Sequence, residues 1–176
     1  MLALVPFTEA DIDRLIGWLQ TPEDLLLWTA SSFEFPLTRE LLQKHLSESA
    51  ARGDRLIYKA VVAATGESCG HIELGGIDRR NRSLRIARVL LAPAFRGRGA
   101  GAEMMRLALR IAFEELGMHR VELGVFDVNP RAVALYEKVG FRRDGVRRES
   151  FWTPAGYWSE VVMSLLDSEW AALVAL

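Results

Sequence analysis

The fold turns on the reading of Arg88-Val89-Leu90-Leu91-Ala92-Pro93-Ala94-Phe95-Arg96-Gly97-Arg98-Gly99-Ala100-Gly101. Val89, Leu90 and Leu91 form a short apolar run, as in a strand covered on both faces. Pro93 has no N–H and ends that strand. Gly97, Gly99 and Gly101 let the backbone turn tightly and let a ligand approach bare N–H groups. From Ala102 to Leu116 the pattern is helical. Met104, Leu107, Ala108 and Ile111 share one face; Arg106, Arg110 and Glu114 share another. Free N–H groups at a helix start attract phosphate, and Arg96 and Arg98 add charge and forked donors. The stretch therefore reads as strand, turn and helix, with a pyrophosphate cradle over Gly97, Arg98, Gly99, Ala100, Gly101 and Ala102.

Upstream, three strands are expected in succession, Leu56 to Ala63, Cys69 to Ile77 and Leu84 to Ala92. Short turns join them, so they run antiparallel. Downstream, Gly117 closes the helix, and Val121, Leu123 and Val125 alternate as a strand. A strand–helix–strand unit of this length implies a parallel pair with a right-handed crossover. Pro130 then suits the first turn of a short helix and Gly140 its end. Val146 to Trp152 and Trp158 to Leu166 are further strands around the turn Thr153-Pro154-Ala155-Gly156. Asp167 is expected to cap a terminal helix that buries Trp170 and part of the segment 171–176.

Toward the amino end, Leu2 to Val5 reads as a strand. Thr8 with Asp11, Thr21 ahead of Pro22, and Thr38 mark three helix starts. The buried stripes are Ile12, Leu15, Ile16 and Leu19, ending near Gln20; Leu25 to Trp28; and Leu41, Leu42, His45 and Leu46. Thr29 to Leu37 reads as a loop. His45 reads as a helix-face residue, since no second ligand stands at metal spacing. The expected class is α/β, a mixed sheet of the α+β kind with an antiparallel amino half and one parallel crossover pair.

Composition narrows the rest. A chain of 176 residues, 50% apolar and 26% charged, suits one globular domain. The net charge of −1 gives no footprint for nucleic acid or a membrane surface. The single cysteine, Cys69, rules out an internal disulfide and a cysteine-rich zinc site, and no metal is expected. No apolar run is long enough to span a bilayer, and Met1 to Pro6 does not read as a signal peptide. A reducing cytoplasm is the expected compartment.

Two signatures compete for the glycine loop. Gly97-x-Gly99-x-x-Ala102 fits the dinucleotide fingerprint, with Glu122 at the distance of a ribose ligand. Arg96-x-x-Gly99-x-Gly101 fits an acyl-coenzyme A loop. A Walker loop is excluded, because no Gly-Lys-Ser/Thr follows. A dinucleotide fold opens its first βα unit with the glycines, whereas here antiparallel hairpins precede them. A second signature follows in Asn129-x-x-Ala132-x-x-Leu135-Tyr136-Glu137-x-x-Gly140-Phe141. Together and in this order the two signatures resemble those of the GCN5-related N-acetyltransferases, in particular their ribosomal-protein and polyamine-like branches. The resemblance covers Leu56 to Leu166; the first 55 residues resemble nothing sharply.

The resemblance implies one domain over 1–176, with acceptor-side helices in 8–55 and the sheet with the acetyl-CoA site in 56–166. It implies acetyl transfer from acetyl-CoA to a primary amine by direct attack, without a metal. Backbone groups of Val89, Leu90 and Leu91 would pair with the pantetheine arm, and the Arg96–Ala102 loop would hold the pyrophosphate. Asn129 would bind the arm near its sulfur, and Tyr136 would protonate the leaving thiolate. A phenol with a pKa near 10 is protonated at neutral pH and can serve as that acid; a core aromatic at helical spacing gives the same pattern, and Asn129 also suits a helix cap. The resemblance carries over no base. The strand positions that hold a glutamate in ribosomal-protein and polyamine-type relatives are Gly124 and Ile86 here. Glu73 is the remaining strand carboxylate, with His71 on its face, and a water chain is the other option. The acceptor is expected to be a small-molecule amine or a peptide amino terminus. It would sit near Trp18, Trp28 and Phe33 to Leu37, walled by Phe151, Trp152, Tyr157 and Trp158. A homodimer is a further expectation. A nicotinamide-type dinucleotide enzyme and a catalytically silent acyl-CoA-binding module remain as other readings.

Overall fold

Seven extended segments build one sheet in the computed structural model, which describes residues 1–30 and 32–175. Ser31 of the expected loop and Leu176 of the expected terminal helix lie outside the described residues. The strands are β1 (Leu2–Pro6), β2 (Arg55–Val62), β3 (Ser68–Asp78), β4 (Ser83–Leu91), β5 (Arg120–Phe126), β6 (Arg142–Thr153) and β7 (Gly156–Leu166). Their order across the sheet is β1-β2-β3-β4-β5-β7-β6. All neighbours pair antiparallel except β4 and β5. That parallel pair is bridged by helix α4 (Ala100–Arg110), as the strand–helix–strand order requires.

Helices cover both faces. On one side, α4, α5 (Pro130–Lys138) and α6 (Asp167–Val174) lie on Ile72, Leu74, Leu84, Ile86, Val121 and Leu123. Met104, Met105 and Leu109 of α4 are fully buried there. On the other side, α1 (Ile12–Gly17), α2 (Pro22–Thr29) and α3 (Arg39–Arg52) form a second core of Ile12, Leu15, Leu25, Trp28 and Leu42. Leu90 of β4 packs into this second core, while Val89 and Leu91 pack into the first. The apolar run of β4 thus serves two cores at once, which is why it shows no alternation. No helix among the described residues is long and apolar enough to cross a membrane.

The local differences from expectation have simple causes. Helix α4 starts at Ala100 rather than Ala102, because Gly99 takes a left-handed conformation (φ 84°) and serves as its N-cap. Its end winds into one π-helical turn over Ile111–Glu115. Helix α1 stops at Gly17, before Gln20. Strand β6 begins at Arg142, four residues ahead of Val146, because it follows β7 as an outer strand. Asp167 is not the cap of α6: the Glu169 carboxylate accepts from the Leu166 N–H (3.0 Å), which makes Leu166 the N-cap and places Asp167 in the first turn.

Candidate active site

Parallel pairing between β4 and β5 lasts only for Ser83↔Arg120, Leu84↔Val121 and Arg85↔Glu122. Beyond Arg85 the two strands part, and β4 runs on to Leu91 with its β5-side edge unpaired. Backbone groups do not stay buried without partners, so this edge is open to water or to an added extended segment. Val89, Leu90 and Leu91 lie along it, half-buried.

The glycine loop sits directly past that edge. The N–H groups of Ala102 and Glu103 bond to the Gly99 carbonyl (3.1 and 3.2 Å). Those of Gly97 to Gly101 have no backbone acceptor among the described residues. Gly97 (φ 75°) and Gly99 (φ 84°) face open space. Gly101 allows close packing instead: a Cβ there would lie 3.1 Å from Leu135 Cδ2 and in ordinary contact with Leu91 (3.5 Å). Arg96 Nε donates to the Leu91 carbonyl (3.2 Å), tying the loop to the strand. Arg96 and Arg98 are exposed. The loop therefore presents bare donors, positive charge and a helix N-terminus together.

Asn129 caps α5, its Oδ1 accepting from the Ala132 N–H (3.2 Å). Its structural role is thus filled by one oxygen, leaving its amide NH2 for other contacts. Tyr136 stands on α5, 8% exposed, edge-on to Phe141. Burial pushes its phenol up to about 12. It is protonated at every physiological pH, as a proton donor to a thiolate must be.

Around Glu73 the structure holds a cluster that the sequence does not announce. A bulge in β4 separates the pairs His71↔Leu90 and Glu73↔Ala87, and Arg88 occupies it with φ 49°. The bulge turns the Arg88 side chain onto Glu73 (Nη1 to Oε2, 2.7 Å). Arg55 of β2 reaches the same oxygen at 2.5 Å, and His45 Nε2 of α3 lies 2.9 Å from Oε1. The Arg88 carbonyl accepts from Trp28 Nε1 (2.8 Å) and lies 2.9 Å from His71 Nδ1. Phe33 lies beneath the Arg88 guanidinium and edge-on to His45.

This arrangement corrects the expectation that Glu73 is the general base. Glu73 is 1% exposed, and both of its oxygens are taken. Desolvation alone would raise its pKa. The bond to His45 and the charges around it outweigh that and hold the carboxyl well below its usual range. A carboxylate so held is a poor proton acceptor and an effective anchor. Burial likewise keeps His71 neutral, with its pKa below the ordinary value.

The glutamate position of ribosomal-type relatives, Gly124, is crowded from across the sheet. A Cβ there would run into the Glu160 carboxylate and the Arg85 guanidinium, which pair at 2.5 Å. Of the expected aromatic wall, Phe151 and Trp158 pack on Phe126. Trp152 and Tyr157, 66% and 62% exposed, belong instead to the β6–β7 hairpin tip. The dinucleotide reading fails on position: Glu122 lies in the short β4–β5 ladder beside Arg85, with salt-bridge contacts to Arg85 and Arg120.

A loop of bare donors past an unpaired strand edge, with a buried phenol on the next helix, suits an acyl-coenzyme A-dependent transferase. The family model described as acetyltransferase (GNAT) domain matches residues 1–142, and the chain belongs to that family. It is an acetyl-CoA-dependent N-acetyltransferase. Spermidine N(1)-acetyltransferase of Vibrio cholerae is 31% identical over 144 residues, 81% of this chain and 80% of that protein. A putative ribosomal N-acetyltransferase of Bacillus subtilis, YdaF, is 32% identical over 105 residues, 60% of this chain and 57% of that protein. The crystal structure of the Vibrio cholerae spermidine N-acetyltransferase in complex with CoA and spermine superimposes with a TM-score of 0.86. It is 24% identical, over 97% of this chain and 98% of that one.

Proposed function

We propose that this one domain holds acetyl-CoA on the free β4 edge and the loop Arg96–Ala102, and transfers the acetyl group to an amine brought in from the α1–α3 side. The parting of β4 and β5 above the glycine loop is the observation that supports this reading. Val89 to Leu91 supply strand-like hydrogen bonds to the pantetheine arm, and Asn129 steadies it near the sulfur. The amine nitrogen bonds to the thioester carbonyl carbon and the C–S bond breaks. Tyr136 gives its proton to the departing thiolate. The proton of the acceptor ammonium goes to His45. Nε2 of His45 faces the ionised Glu73 and so acts as the donor in that bond, leaving Nδ1 as the basic nitrogen. Glu73 is the positioning residue behind it, much as a buried carboxylate orients a histidine base elsewhere. A reducing cytoplasm, in which buried Cys69 stays a free thiol, is the compartment this reading assigns.

The cradle is tested by Gly99→Val. At φ 84° a valine is strained by about 1–3 kcal/mol, and its side chain enters the space the phosphates need. Calorimetry with acetyl-CoA is expected to show no binding to a folded Gly99→Val protein. Binding equal to that of the unmodified chain would place the cofactor elsewhere.

A further inference from the structure

The α1–α3 side of the sheet carries an unmatched positive charge beside the parting strands. One carboxylate, Glu73, serves two guanidiniums, Arg55 and Arg88, through the same oxygen. Among the described residues, Nε of each arginine is buried with no partner, as is Asp54 Oδ1. Neighbouring cations on this side share carboxylates as well, but are themselves more exposed than Arg55 and Arg88. Lys59 and Arg14 share Asp11 at 2.7 and 3.5 Å. Arg85 and Arg147 share Glu160 at 2.5 and 2.9 Å. Glu122 lies between Arg85 and Arg120 at 3.8 and 3.6 Å. No carboxylate among these is left free to receive an ammonium group, whereas Arg88 is half-satisfied and its side chain is still 12% exposed.

A di- or polyamine needs free carboxylates for the charges it does not react through. Here those charges would meet arginines, and like charges brought together in a partly desolvated site repel strongly. An acceptor that carries its own carboxylate does the reverse. It supplies the missing anion, and a guanidinium fork binds it in a fixed orientation. From this two-to-one arrangement we infer that the acceptor is a small amine bearing a carboxylate, of the amino-acid class, with the acid group taken by Arg88 and Arg55. The inference rests on the acetyl-transfer reading above and names its substrate class.

The test uses the full chain, acetyl-CoA and a series of amino acids, each paired with the diamine of equal length, with spermidine alongside. Thiol release and product mass give kcat/KM for each. The best amino acid is expected to exceed its paired diamine and spermidine by about tenfold or more, the effect of one matched charge pair. Arg88→Ala is expected to erase that ratio through KM, and Arg88→Lys to restore part of it. The ratio in the unmodified chain stands even if Arg88→Ala unfolds. A diamine or spermidine preferred over every amino acid would overturn the inference. So would the absence of any acetylated amino acid from a chain that binds acetyl-CoA, leaving the acetyl-transfer reading intact. Failure to bind acetyl-CoA at all would overturn both.

Discussion

Strand β3 shows the two sides of the molecule in four consecutive residues. Ile72 and Leu74 point into the α4–α6 core, and His71 and Glu73 point toward α1–α3. All four are buried to the same degree. The apolar pair is stabilised by leaving water, at roughly 25 cal/mol per Å² of apolar area, whatever its neighbours. The polar pair costs free energy on burial and is held only by named partners: Arg55, Arg88 and His45 for Glu73, and the Arg88 carbonyl for His71. Substitution on the apolar side leaves a cavity whatever the pH, whereas the polar side depends on Glu73 keeping its charge.

Tyr136 breaks this division, because it belongs to the apolar core yet is assigned a chemical task. Tyr136→Phe keeps the ring packing on Phe141 and deletes the proton donor. General acid catalysis is worth about 10²–10⁴-fold, so kcat is expected to fall within that range. Cofactor affinity and melting temperature should hardly move, since burial, rather than a bond to its hydroxyl, sets its raised pKa. An unchanged rate would return Tyr136 to the core and make the apolar side chemically silent.

The next largest effect is on stability. Glu73→Gln leaves two guanidiniums without a buried counter-charge. Breaking a buried pair in this way costs about 3–5 kcal/mol. Leu74→Ala, one residue on and facing the other way, costs about 2–5 kcal/mol as a cavity. The two are told apart by pH. The folded-state pKa of Glu73 is held below its ordinary 4.5, so its contribution is present above that value and lost as pH falls through the folded value. Denaturant titrations from neutral pH downward should show a decline in the unmodified chain and in Leu74→Ala. In Glu73→Gln the part of that decline due to Glu73 should be missing. Equal acid slopes in all three would mean that the carboxylate is not held as described.

The fold and the local shape of the glycine loop were legible in sequence for local reasons. Strand periodicity, Pro93, the three glycines and the cap at Asn129 each act within a few residues. The cluster around Glu73 was not, because it is made by long-range pairing. In sequence Glu73 reads as a lone strand carboxylate and His45 as a helix-face residue, and nothing local links either to Arg55 or Arg88. What brings them together is the register of β2 on β3 and a single extra residue in β4. A signal was present even so. Charged residues inside strands with apolar residues on either side require counter-charges nearby, and Lys59, Glu73, Arg85 and Arg88 are such residues of mixed sign. That same requirement overturns Glu73 as a free base.

The smallest expected effect concerns Arg96, which belongs to neither face but to the loop beyond them. Its Nε bond to the Leu91 carbonyl holds the loop against the strand edge, and its exposed guanidinium adds positive charge near the cradle. On the proposed reading most phosphate contacts would come from backbone N–H groups that Arg96→Ala leaves in place. The lost charge lies in water, where screening reduces its worth. Acetyl-CoA affinity is therefore expected to weaken by about 3- to 10-fold, equivalent to roughly 0.7–1.4 kcal/mol. The loss should shrink as salt is raised, because an exposed charge is screened and a backbone cradle is not. Calorimetry at two ionic strengths measures both. A loss as complete as that expected for Gly99→Val would make the arginine, rather than the backbone of Gly97 to Ala102, the principal phosphate ligand. A loss independent of salt would assign Arg96 to fixing the Leu91 carbonyl instead of meeting the phosphates.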